Sequence, residues 1–291
     1  MHVPVLLPEA LEFLNVRPGG TYIDATLGGG GHAEGILQRL GGGRLLGIDR
    51  DPEAMARTGE RLRPFKEKLV MMHGNMAQIG ELHRASGLAP ADGLLADLGI
   101  SSWQIEDPAR GFSFDRPGPL DMRMDPEEPL TAAEFVNRRP EQDLADLIFR
   151  LGEEQHSRRI ARAIVKARPI RTTAELAQAV RGAIPSGAGL RHLHPATRTF
   201  MALRLAVNQE MENLDGFLSQ VLQVLAPQGR LVIISFHSLE DRRVKRALVS
   251  WREEGRASIL TKKVVRPGEE EMRANPRSRS AKLRAAEKAA A

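Results

Sequence analysis

Apolar residues in the first hundred positions come in short, nearly unbroken runs, separated by stretches with helical spacing. Thr21-Tyr22-Ile23-Asp24-Ala25-Thr26-Leu27, Arg44-Leu45-Leu46-Gly47-Ile48-Asp49, Leu69-Val70-Met71-Met72 and Gly93-Leu94-Leu95-Ala96-Asp97-Leu98 are four such runs. Ala33 to Leu40 and Pro52 to Leu62 read as helices between them. A run that is apolar on both sides of the pleat is a strand buried on two faces, and its alternation with helices predicts a parallel sheet covered on both sides. The pattern breaks after Asp97. From about Pro108 to Asn208 only polar turns and helical segments occur, with Glu141 to Arg150 and Arg158 to Ala167 the clearest. Arg230-Leu231-Val232-Ile233-Ile234-Ser235 then restores a buried strand, followed by a helical Glu240 to Trp251 and a strand-like Ile259 to Val265. The expected architecture is an α/β sheet domain made of residues 1–107 and 209–291, interrupted by a mostly helical insertion at 108–208. No internal repeat is visible, and the nearest thing to a linker is the charged stretch from Glu269 to Asn275.

Composition narrows the class. The 291 residues are 42% apolar and 27% charged, ordinary values for a globular chain. No run approaches the roughly 18–20 apolar residues of a membrane span, and the opening Met1-His2-Val3-Pro4 has no basic segment followed by an apolar one. A cytoplasmic protein with no membrane partner is expected. With no cysteine, disulfides and thiolate metal ligands are excluded. The histidines His73, His83, His156, His192 and His194 show no metal spacing, so no metal is expected. The net charge of +5 is unevenly spread, because residues 242–291 carry fifteen Lys and Arg against six Glu. A one-ended basic segment suits an anionic partner such as nucleic acid, although a solvated tail has the same composition.

Candidate chemistry gathers at the ends of the apolar runs. Asp24-Ala25-Thr26-Leu27-Gly28-Gly29-Gly30-Gly31-His32 joins the first strand to the first helix. Glycines there let backbone approach a ligand at the carboxyl edge of the sheet, where open α/β folds bind ligands. Asp49 ends the second run, where a carboxylate can accept ribose hydroxyls. Asp24 separates the candidate cofactors. A dinucleotide would bring a pyrophosphate close to this carboxylate, an unfavourable pairing in a partly dry cleft. S-adenosylmethionine would bring an ammonium and a sulfonium instead. Asp97 ends the fourth run, in Ala96-Asp97-Leu98-Gly99-Ile100-Ser101-Ser102, where it could touch cofactor or substrate or simply cap a helix.

These blocks, taken in order, resemble the bacterial 16S ribosomal RNA cytosine-N4 methyltransferases, the family of ribosomal RNA small subunit methyltransferase H. The resemblance runs from His2-Val3-Pro4-Val5-Leu6-Leu7 through Asp24-to-His32, Ala96-to-Gln104 and Arg110-Gly111-Phe112-Ser113-Phe114. It continues with Gly118-to-Met124, Gly152-Glu153-Glu154, His194-to-Phe200, Ile234-to-Arg242 and Asn275-to-Arg284. It implies a class I, Rossmann-like methyltransferase domain with S-adenosylmethionine as cofactor, and a lid-like insertion beside a substrate cleft. Carried over position by position, Gly30, Gly31 and His32 would hold the methionine end, Asp49 the ribose and Met76 the adenine. Asp97 and Gln104 would complete the pocket. Met76 stands where the family has phenylalanine, and a thioether still packs on a purine; Met201 replaces the glutamine usual after Thr-Phe.

The partner implied is 16S ribosomal RNA within the small subunit, with a homodimer left open. The Pro-Pro-aromatic motif with which DNA amino-methyltransferases hold the target amine is missing after Asp97. No catalytic group is therefore assigned, and Asp97, Ser101, Ser102 and His237 all stay candidates. Arg277 and Arg279, expected on one face of an extended segment opposite Lys282 and Arg284, are the candidate phosphate contacts. Two readings compete: a non-catalytic ribosome-assembly factor that keeps the fold, and an NAD-dependent oxidoreductase, which Asp24 disfavours.

Overall fold

A computed structural model describes residues 4–184 and 194–290. The opening Met1-His2-Val3 and His192 thus lie outside the described residues. The chain divides into two compact units, Met1–Gly99 with Met211–Ala291, and Ile100–Glu210.

The first unit is built on a seven-stranded sheet. Its strands are β1 (Thr21–Asp24), β2 (Arg44–Asp49), β3 (Leu69–His73), β4 (Ala91–Asp97), β5 (Leu225–Ser235), β6 (Ala257–Ile259) and β7 (Lys282–Lys288), in the order β3-β2-β1-β4-β5-β7-β6. β1 to β5 are parallel, while β7 runs antiparallel to both β5 and β6. Leu45, Leu46, Ile48, Leu94, Leu95 and Val232 are fully buried, as strands covered on both faces require. Helices Gly31–Arg39 and Pro52–Arg61 follow β1 and β2 as the helical spacing predicts. Winding turns one way from β1 to β2 and β3, and the other way from β4 to β5. The reversal places the carboxyl ends of β1 and β4, Asp24 and Asp97, side by side at the switch point where such sheets bind ligands.

The basic C-terminus differs from its expected form. The strand anticipated at Ile259 to Val265 is a short one at Ala257–Ile259, with Val265 forming only an isolated bridge to Leu283. The strand that completes the sheet is β7, taken from the basic segment itself. Its Leu283, Ala285 and Ala286 are buried. Lys282 and Arg284, two residues apart and so on one face, both reach Asp241, at 3.7 and 2.7 Å. Cationic residues concealed this strand because the acid that neutralises them, Asp241, comes from a separate element, helix Ser238–Glu253. The charged stretch Glu269–Ala274 is likewise a short helix and not a linker.

The second unit is helical, with Ala132–Arg138, Glu141–Gly152, Ser157–Ala167, Thr173–Ala183 and Thr197–Val207 packed around one core and no strand among the described residues. Leu144, Ile148, Ile160, Ile164, Leu176 and Leu203 are fully buried within it. Capping boxes at Thr131 with Glu134, and at Thr172 with Glu175, start two of these helices. Asn208, fully buried after the last helix, ties the loop at Met122 to Met124: its amide nitrogen donates to the Met122 carbonyl at 2.8 Å, and its oxygen accepts from the Met124 N–H at 2.7 Å. No helix among the described residues is long and apolar enough to cross a membrane.

Candidate cofactor site

The glycine loop is held from behind and open in front. Gly28 and Gly30 have positive φ (48° and 74°), the left-handed region that glycine enters without strain. Helix Pro52–Arg61 anchors the loop: the Thr58 hydroxyl donates to the Gly28 carbonyl at 2.6 Å and Arg61 donates to the Gly29 carbonyl at 2.8 Å. A side chain on Gly30 would meet Thr58 Cγ2 at 2.6 Å, and one on Gly31 would run into Pro4. Around Gly29, by contrast, no atom lies within 4 Å of where a side chain would start. A ligand can approach the main chain there.

Asp49, at the end of β2, is fastened to this loop. Its Oδ2 accepts the Gly28 N–H at 2.6 Å and its Oδ1 the Asp51 N–H at 2.9 Å. A carboxylate offers about four acceptor sites, so these amides leave room for a further donor. Burial raises its carboxyl above the usual range, while these amides act the other way. Asp24 is 1% exposed; its Oδ1 accepts the Thr26 N–H at 3.2 Å, and its Oδ2 is buried with no hydrogen-bond partner. Burial, with the Asp49 charge adding to it, pushes the Asp24 carboxyl up to about 7.

Asp97 is positioned by Thr26, whose hydroxyl oxygen accepts the Asp97 backbone N–H at 2.6 Å. Its Oδ2 lies 3.5 Å from His32 Nδ1, and its Oδ1 is buried with no hydrogen-bond partner. Burial first, then the charges of Asp24 and Glu240, raises this carboxyl well above its usual value. The buried His32 sets its other nitrogen, Nε2, 2.9 Å from the Val5 carbonyl. A carbonyl only accepts, so Nε2 carries a proton, and attraction between Nδ1 and Asp97 Oδ2 needs a second one, on the ring or on the carboxyl. Met76 is half-buried at the start of a 3-10 turn after β3, capped by Asn75.

The structure therefore brings Gly30, Gly31, His32, Asp49 and Asp97 together around the carboxyl ends of β1, β2 and β4, with Met76 beyond β3. Gln104 belongs to the second unit. It is 5% exposed, and its Oε1 accepts the Ser101 N–H at 2.9 Å in the capping box that starts helix Ser102–Glu106. Arg277 and Arg279 are exposed in a 3-10 turn, Pro276–Ser280, where an extended segment was expected. At three residues per turn, two positions apart point in different directions, so the two guanidinium groups do not share a face. The proline and the Asn275 cap, which accepts the Arg277 N–H at 3.3 Å, coil the chain here.

His237 is committed at one of its two nitrogens. Its Nδ1 caps helix Ser238–Glu253 by accepting the Glu240 N–H at 3.4 Å, and its Nε2 lies 3.1 Å from Glu240 Oε1. The missed partner is Glu240 itself, 2% exposed, whose Oε2 also accepts the Phe236 N–H at 2.8 Å. A glutamate three residues after a polar residue is the spacing of a capping box, and that signal was available in the sequence. Thr26, Thr58 and Val5 were also missed, since nothing local marks a residue that works across the fold. His73 and His83 contact main-chain carbonyls, of Arg50 and Ala89. No group of His, Asp and Glu among the described residues could hold a metal ion.

A doubly wound sheet completed by an antiparallel β7, with a glycine loop between β1 and its helix and an acid at the end of β2, has the architecture of a class I methyltransferase. The chain matches the MraW methylase family over residues 1–289. It is 52% identical over 306 residues to the ribosomal RNA small subunit methyltransferase H of Syntrophobacter fumaroxidans, covering 99% of this chain and 96% of that one. It is equally 52% identical over 294 residues to the protein of that name from Acidobacterium capsulatum, covering 99% and 98%. A crystal structure described as a candidate rRNA methylase from Clostridium thermocellum superposes with TM-score 0.50 at 11% identity over 100% of this chain and 99% of that one, a likeness of fold. The chain belongs to the MraW methylase family. It is an enzyme, and its methyl donor is S-adenosylmethionine. The residues present fit that donor: Asp24 Oδ2, a buried carboxylate oxygen without a hydrogen-bond partner, suits a ligand bearing an ammonium and a sulfonium.

Proposed function

We propose that this methyltransferase modifies the exocyclic N4 amine of a cytosine in the RNA of the small ribosomal subunit, met within the subunit. The names of its relatives supply the substrate class. The observation that carries the chemistry is the pair of unpartnered buried carboxylate oxygens, Asp24 Oδ2 and Asp97 Oδ1, at the switch point. In this reading Gly30, Gly31 and His32 receive the methionine end of the cofactor, Asp49 accepts the ribose hydroxyls and Met76 packs on the adenine.

S-adenosylmethionine supplies an electrophilic methyl group on a sulfur that leaves readily with its bonding pair. The protein's part is to place the amine, keep water away and receive one proton. Asp97 is the group best built for the last task. Its Oδ2 is backed by His32, whose orientation the Val5 carbonyl sets, and its Oδ1 is left to accept a hydrogen bond from the amine. A carboxyl raised by burial holds a proton more readily near neutral pH than an exposed one does. Asp97 Oδ1 would accept the amine's hydrogen bond and then take the proton that the amine loses on transfer. The second unit and the exposed Arg277 and Arg279 take part in binding RNA, the arginines through phosphates.

The test is to incubate the protein with labelled cofactor and with small subunits from a strain lacking this enzyme, then digest the RNA and identify modified nucleosides by mass spectrometry. N4-methylcytidine is the expected product. RNA bound but not labelled would leave a non-catalytic assembly factor. An Arg277→Ala/Arg279→Ala variant is expected to keep its cofactor affinity, lose activity on subunits and flatten the salt dependence of RNA binding. Activity equal to wild type across a salt titration would remove these two arginines from the RNA contact.

A further inference from the structure

The basic C-terminus is not the only concentration of positive charge. Residues 157–171, Ser-Arg-Arg-Ile-Ala-Arg-Ala-Ile-Val-Lys-Ala-Arg-Pro-Ile-Arg, hold six cations and no acid, inside the second unit. Helix Ser157–Ala167 sorts them. It buries Ser157, Ile160, Ala161 and Ile164 and exposes Arg158, Arg159, Arg162 and Lys166. At about 100° per residue, those four cations fall within an arc of about 100°, opposite the buried stripe, and extend along about 12 Å of helix. Among the described residues only Arg162 of the four has an acidic partner, Glu141 at 3.5 Å, and that pair is largely exposed and therefore weak. Arg158 and Arg159 also sit in the first turn, where cations oppose the helix dipole. The helix itself does not benefit from them there.

Resting on the reading of the substrate as ribosomal RNA, we propose that this face of helix Ser157–Ala167 binds the RNA phosphate backbone. The argument is charge complementarity. A row of guanidinium and ammonium groups with a single acid, Glu141, paired to it offers bidentate and point-charge contacts to phosphates, and such contacts position a nucleic acid without reading its sequence. The surface adds affinity for RNA and takes no part in cofactor binding.

An Arg158→Gln/Arg159→Gln/Lys166→Gln variant tests it, because glutamine keeps helix propensity and leaves the Arg162–Glu141 pair alone. Protein-free small-subunit RNA, assembled small subunits and S-adenosylmethionine alone are the three probes. The variant is expected to bind cofactor like wild type and to bind protein-free RNA at least about tenfold more weakly. Its plot of log affinity against log salt should be shallower by about two units, at roughly 0.7–0.9 per phosphate contact. The Arg158→Lys/Arg159→Lys variant should retain most of the binding. Unchanged affinity and slope overturn the proposal, and so does a lysine variant as impaired as the glutamine one, which would mean a structural role. Normal binding to protein-free RNA with loss on subunits would place a ribosomal protein against this face and overturn it too. Wild-type protein that neither binds nor methylates the RNA would overturn the proposed substrate itself, and this face with it.

Discussion

Asp49→Ala is expected to raise the dissociation constant for S-adenosylmethionine by roughly thirty- to a thousandfold, the equivalent of about 2–4 kcal/mol for two charge-assisted hydrogen bonds. Two effects contribute. The carboxylate would no longer accept the ribose hydroxyls, and the Gly28 and Asp51 N–H groups would lose the acceptor that ties the loop to β2. Asparagine is no gentle replacement, because its NH₂ would confront one of those two donors. The contributions separate with a cofactor analogue that lacks the ribose hydroxyls. If Asp49 binds them, wild type should discriminate strongly against the analogue and the variant hardly at all. Calorimetry on folded variant protein that shows wild-type affinity, or the same discrimination, would reject the ribose role.

The first sheet strands were legible because each carries its own evidence: Leu45, Leu46 and Ile48 read as buried without knowledge of their neighbours. β7 was not. Lys282 and Arg284 look like a solvated tail until Asp241, forty residues earlier, is seen to lie beside them. Its apolar positions, Leu283, Ala285 and Ala286, are too small and too few to stand out. The same limit applies within the site. Asp24, Asp49 and Asp97 announce themselves at strand ends, but what tunes them does not. Thr26 positions the Asp97 backbone, Val5 orients the His32 ring, and Thr58 holds Gly28, each from a distant stretch of chain. His237 combines two signals, since a histidine near the ligand edge suggests chemistry, yet its Nδ1 serves the start of a helix. Arg277 and Arg279 were read as extended, although the proline before them and an asparagine cap favour a turn.

Stability should fall as pH rises from about 4 to 7, and Asp24→Asn should remove much of that fall. The Asp24 carboxyl is raised from 3.8 to about 7 in the folded protein, chiefly by burial. Between those two values the native state holds a proton that the unfolded chain has released, so each step up in pH favours unfolding. The advantage is complete below the unfolded value and gone once pH passes the folded one. Three pK units correspond to about 4 kcal/mol. The stability of Asp24→Asn relative to wild type should therefore rise by about 3 kcal/mol between pH 4.5 and 7.5, as measured by urea unfolding at each pH. Cofactor binding should run the other way. A ligand with two positive groups favours ionised Asp24, so wild-type affinity should increase up to about pH 7, with a proton released on binding near pH 6. Calorimetry in buffers of different ionisation enthalpy reads that proton directly. The Asp24→Asn variant should bind more weakly, by about tenfold or more at pH 8, and should release no proton. A stability difference that stays flat with pH would show that Asp24 is ionised in the folded protein across this range. Proton release that survives the substitution would place the titrating group elsewhere, with Asp97 next in line because its carboxyl is raised by the same burial and by Asp24 itself.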